Sequence, residues 1–127
     1  MKHRVLLVDD DPDFLLQHRL LLERAGYDVH AAKSEAEALG MLETEQFDAA
    51  VLDLMLEHED GGFILAHHIR RHSSMPIIIV SAVTSETGLV FGPEGAGESG
   101  WVKADAILPK PIRFEQLTRE LERLLQG

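Results

Sequence analysis

Five short apolar runs punctuate the chain: RVLLVD (4–9), YDVHAA (27–32), FDAAVLD (47–53), PIIIVSA (76–82) and DAILP (105–109). In most of them the apolar residues follow one another instead of alternating with polar ones. Runs of that kind predict strands buried on both faces, as in a parallel sheet with helices on each side.

Between the runs the period changes to that of a helix. Asp11 followed by Pro12 is a start signal, an N-cap before a proline at the first helical position. Phe14, Leu15, His18, Leu21, Leu22 and Ala25 then recur at helical spacing, and Gly26 closes the helix. Ser34 with Glu37 three residues on predicts a capping box, and Ala38, Leu39 and Leu42 give that second helix its apolar stripe. A third helix is predicted over 62–72, using Phe63, Ile64, Ala66 and Ile69. The last is predicted over 114–125, with Leu117, Leu121, Leu124 and Leu125. Strands alternating with helices imply right-handed crossovers and an α/β, doubly wound, five-stranded parallel sheet. The exception is residues 83–104, which hold five of the ten glycines and read as a long ordered loop.

Composition narrows the function. A chain of 127 residues, 45% hydrophobic, reads as one domain over 1–127 with a real core and no linker to a second. The formal charge of -10 argues against a direct grip on a nucleic-acid backbone and suits a basic protein patch or a cation. Without cysteine there is no disulfide, thiol nucleophile or Cys-bound zinc. No apolar run reaches the ~18 residues of a membrane span, and the N-terminal MKHRVLLVDDD lacks the cleavage site of a signal peptide. The expectation is a cytoplasmic protein with no membrane partner.

Against that background the acid at 9–11 is conspicuous. Two unit charges about 4 Å apart repel by roughly 4 kcal/mol near a protein surface, so clustered carboxylates imply an incoming cation. Ligands of a doubly wound sheet bind beyond the carboxyl ends of the strands, where strand order reverses. In the order 2-1-3-4-5, strands 1 and 3 are neighbours, so Asp9, Asp10 and Asp53 converge on one pocket. Oxygen ligands of this type suit Mg2+. Ser81 ends strand 4 with a hydroxyl and Lys110 follows strand 5 with an ammonium. Together the set suits in-line phosphoryl transfer to a carboxylate.

At this point the chain resembles the receiver domain of two-component response regulators, along its whole length. VLLVDDDP (5–12), AAVLDLML with DGG (49–62), IIIVSA (77–82) and LPKPI (108–112) carry the resemblance by their order and spacing. It implies a flavodoxin-like fold, with Asp53 phosphorylated by a sensor histidine kinase or phosphotransfer protein. It implies Mg2+ held by Asp9, Asp10, Asp53 and the backbone carbonyl of Met55, and a phosphoryl group held by Ser81 and Lys110. Such a domain catalyses only its own phosphorylation and dephosphorylation; its output is the binding of a downstream protein partner, with a homodimer also open.

The departures matter too. Leu56-Glu57 stands where the family commonly has Met-Pro. Ile107 occupies the switch position that is usually aromatic. The stretch from Ser81 to Lys110 is longer than usual, so a long loop replaces or remodels the fourth helix of the fold, on the usual signalling face. By the same resemblance, Met55 and Val83 hold positions that in receivers flank the path of the hydrolytic water. Both are apolar here, which implies a longer-lived phosphoryl group. The altered signalling face motivates an alternative, a receiver-like interaction module that works without phosphorylation.

Other readings are weaker. A haloacid-dehalogenase type of phosphatase needs an aspartate where Met55 stands, and a flavodoxin-like cofactor binder needs a phosphate loop after strand 1. His68 and His72 are spaced i, i+4, but no carboxylate or third histidine joins them at zincin spacing, so they read as a solvated helix face.

Overall fold

The computed structural model describes residues 2–53, 61–81, 105–109 and 112–126. The predicted loop at 83–104, Met55 and Lys110 lie outside the described residues. Strands β1 (Arg4–Val8), β2 (Asp28–Ala32), β3 (Ala49–Asp53), β4 (Ile77–Ser81) and β5 (Ala106–Pro109) form one parallel sheet in the order β2-β1-β3-β4-β5. Helices α1 (Pro12–Arg24), α2 (Glu35–Thr44) and α3 (Gly61–His72) follow the first three strands, and a last helix spans Phe114–Gln126.

Side chains alternate across each strand, so the consecutive apolar residues serve two cores. Leu6, Val8, Ala50, Leu52, Ile77 and Ile79 pack on one face, under Ala38 of α2 and Leu65, Ala66 and Ile69 of α3. Val5, Leu7, Ala49, Val51, Ile78 and Val80 pack on the other, under Leu15 and Leu22 of α1 and Leu117 and Leu121 of the last helix. That division is the physical content of a doubly wound sheet.

The helix starts follow the cap chemistry. Asp11 accepts a hydrogen bond from the Asp13 N–H at 3.0 Å, ahead of Pro12. Ser34 accepts from the Glu37 N–H at 3.1 Å, and the Glu37 carboxylate reaches back to the Lys33 N–H. Gly26 ends α1 at φ 103°, a conformation that side chains strain to adopt. His18, buried in α1, stacks on Phe14 with ring centres 3.9 Å apart and places Nδ1 3.0 Å from the Phe14 carbonyl.

Helix α3 departs from its predicted stripe. Leu65, Ala66 and Ile69 are buried, whereas Ile64 is 46% exposed. Leu65 and Ile69 are one turn apart and share the sheet-facing side. Ile64 instead shares its side with exposed His67 and His68, three and four residues on.

Two anchors hold the amino end of the sheet. Arg4 pairs with Glu45 and donates to the Gln46 carbonyl, while its N–H donates to Asp48. Asp105, just before β5, accepts the Ile77 N–H at 2.8 Å and the Arg70 guanidinium at 2.7 Å. Its own N–H donates to the Ile77 carbonyl at 2.7 Å. Tyr27, buried between α1 and β2, has its phenol pKa raised, first by burial and then by the charge of Glu122.

Candidate functional site

Sheet register assembles the acidic pocket. Val8 of β1 pairs with Leu52 of β3, so the next step along both strands sets Asp9 beside Asp53. Alternation from Val5 and Leu7 to Asp9, and from Ala49 and Val51 to Asp53, gives both the same strand parity. Asp9 extends the sheet by one bond, its N–H donating to the Ala32 carbonyl at 3.2 Å. One of its carboxylate oxygens accepts the Asp11 N–H at 2.9 Å.

The three adjacent aspartates therefore have three different duties. Asp9 is 1% exposed and folded into the turn, Asp10 is exposed, and Asp11 caps α1. Asp53 closes β3 at 6% exposure. Carboxylate oxygens of Asp9, Asp10 and Asp53 lie within 4.8 Å of one another. An octahedral Mg2+ with ligands at about 2.1 Å spans roughly 4.2 Å between opposite oxygens. Small side-chain rotations bring the three to that spacing, and an all-oxygen donor set is the kind this ion selects.

Ser81 is fully buried at the end of β4, one residue past the Asp53–Val80 pair. It is paired in turn with Pro109 of β5, so Lys110 follows directly from the neighbouring strand end. Ile107 pairs with Ile79 and packs, half-buried, on the core cluster under α2 and α3. Among the described candidates the structure thus gathers Asp9, Asp10 and Asp53, with Ser81 beside them. Sequence reasoning missed the Asp105 anchor that fixes where β5 begins. Its signal was an acid immediately before an apolar run.

A family model described as the response regulator receiver domain matches residues 5–122, and the chain belongs to that family. Response regulator MprA of Mycobacterium bovis (strain BCG / Pasteur 1173P2) is 32% identical over 126 residues, covering 99% of this chain and 52% of the relative. Transcriptional regulatory protein GltR of Pseudomonas aeruginosa is 35% identical over 125 residues, 96% of this chain and 48% of its own length. The chain spans about half the length of these curated relatives. Among solved structures, a CheY-like receiver domain protein from Methanospirillum hungatei JF-1 superposes with a TM-score of 0.82 at 28% identity, over 99% of this chain and 95% of that one. Chemotaxis response regulator CheY4 of Vibrio cholerae gives 0.80 at 28% identity, over 98% and 99%. The fold and the family are those of a two-component signalling domain.

Proposed function

We propose that this receiver accepts one phosphoryl group on Asp53, in a Mg2+-dependent reaction, from a sensor histidine kinase or phosphotransfer protein, and thereby switches the binding of a downstream protein. The observation that carries the reading is the gathering of three carboxylates within 4.8 Å around the end of β3.

An Asp53 carboxylate oxygen attacks the phosphorus of a phosphohistidine. The new P–O bond forms as the P–N bond breaks, and the imidazole leaves with the bonding electrons. Asp10, Asp9, Asp53 and the Met55 carbonyl would hold Mg2+, which supplies positive charge to the nucleophile and the phosphoryl oxygens. Ser81 and Lys110 are assigned the remaining phosphoryl oxygens. Asp53 and Ser81 are both buried at the ends of their strands, and the apolar Met55 and Val83 are assigned the role of slowing hydrolysis of the acyl phosphate. Closure of Ser81 and Lys110 on the modified aspartate is the differential contact between the two states. The domain acts catalytically on itself alone.

The net charge of -10 fits a partner surface rich in Lys and Arg, not direct nucleic-acid contact by this domain. No described helix is long and apolar enough to cross a membrane, and we assign the domain, as one unit over 1–127, to the cytoplasm. A homodimer is one form the output can take.

Ile107 favours a second reading, an interaction module that works without phosphate. Its aliphatic side chain is half-buried against the core and has no hydroxyl to couple to the site. Incubation with Mg2+ and acetyl phosphate, followed by intact mass, separates the two. The first reading expects one added phosphoryl unit per chain, lost with EDTA and in Asp53→Asn. An unchanged mass would overturn it in favour of the second.

A further inference from the structure

We propose that His68 and His72 of α3, joined by Glu43 of α2, form a second metal site, which takes a Zn2+-type divalent ion and bridges the two helices. A cleft of about 770 Å3 separates α2 from α3 at the amino end of the strands. Leu39, Leu42, Phe47, Ile69 and Met75 make its apolar wall, and exposed Glu43, His68 and His72 also line it.

The histidine pair is spaced for a shared ion. Residues four apart lie on one helix face. An imidazole nitrogen binds zinc at about 2.0–2.1 Å and the ring centre lies about 1.1 Å behind it, so two rings on one tetrahedral ion have centres roughly 5 Å apart. The His68 and His72 ring centres are 5.0 Å apart, with planes inclined at 54°.

The third ligand comes from another helix, which is why sequence spacing conceals it. Glu43 sits in the last turn of α2, a turn with no basic residue. A carboxylate there meets the negative end of the helix dipole, and a cation relieves both. Glu45, its neighbour in the cleft, pairs instead with Arg4 and His30. Among the described residues, the aspartate pocket is the one place where three ligand atoms already lie within 4.8 Å. Glu43 therefore has to swing across the cleft to complete the set, and water fills the fourth position. Two imidazoles and a carboxylate select a borderline ion over Mg2+.

The two metal sites are independent. Phe47 precedes β3 and Met75 precedes β4, whereas Asp53 ends β3. The stretch from Phe47 to Asp53, at about 3.3 Å per residue, puts roughly 20 Å between them.

Zn2+ titration by calorimetry, in excess Mg2+ to saturate the aspartates, tests the proposal; Co2+ absorption reports ligand geometry. We expect one Zn2+ per chain and a tetrahedral Co2+ spectrum. His68→Ala and His72→Ala should each weaken binding by at least about tenfold, Glu43→Gln severalfold, and His67→Ala not at all. All four side chains are exposed, and far-UV circular dichroism checks that each variant folds. Unchanged Zn2+ affinity in the doubly substituted His68→Ala, His72→Ala protein would overturn the site. Unchanged affinity in Glu43→Gln would overturn the bridge between helices.

Discussion

Asp105→Ala probes how β5 is held in place. In the native chain the Asp105 carboxylate stands where a strand carbonyl would, accepting the Ile77 N–H at 2.8 Å. Ile77 is fully buried, so truncation leaves a buried donor without an acceptor. That costs about 1–3 kcal/mol. The Arg70 ion pair adds less, because the Asp105 side chain is 37% exposed and screened by solvent; such pairs are worth about 0–1 kcal/mol. The backbone bond from Asp105 to the Ile77 carbonyl survives the change. The total is roughly 1–4 kcal/mol, centred near 2.5, which for a domain of this size lowers Tm by roughly 10 °C at the centre of that range. Asp105→Asn keeps an oxygen for Ile77 and should lose under about 1 kcal/mol, mainly the ion pair. Urea titration of the three proteins measures both. Because Ser81 is registered to Pro109, a loosened β5 should also slow phosphorylation from acetyl phosphate. A loss below about 0.5 kcal/mol in Asp105→Ala, or equal losses in the two variants, would refute the carbonyl-substitute argument.

Other outcomes follow from single residues. Met55→Asn with Val83→Glu should shorten the lifetime of the phosphorylated protein by at least severalfold, read by loss of phosphoryl mass after donor removal; an unchanged rate would dismiss the apolar-shield idea. Gly26→Ala should destabilise by about 1–2 kcal/mol through its φ of 103° alone, since an added Cβ meets nothing within 4 Å. Asn at that site should cost less, as denaturant midpoints can show. The folded chain binds the Tyr27 phenol proton more tightly than the unfolded chain does, because burial and Glu122 raise its pKa above 10.0. The resulting stability is full below about pH 10 and lost as pH climbs through the raised value. Tyr27→Phe should remove that alkaline decline in an unfolding series.

The central strands β1, β3 and β4 were legible because their apolar residues serve two cores at once, leaving no polar face to confuse the pattern. Helix starts were legible because Asp11 and Ser34 act within three residues of themselves. The pocket was legible because its acids fall at strand ends, where topology determines position. The buried face of α3 was not, since Ile64 and Leu65 are both apolar and only the sheet beneath decides between them. Asp105 was not, because its partner Ile77 lies 28 residues away and is reached by a side chain acting as backbone. Glu43 as a companion to the His68 and His72 pair was not, because the cleft they line lies between two helices.

Strand β5 has four residues, lies last in the sheet order and begins beside a charged side chain. It closes on Pro109, which has no N–H to offer an incoming strand. A short margin bracketed by a charge and a proline is a poor template for another copy. The residues that aim the fifth strand at the pocket thus also guard this border against self-association into extended sheets.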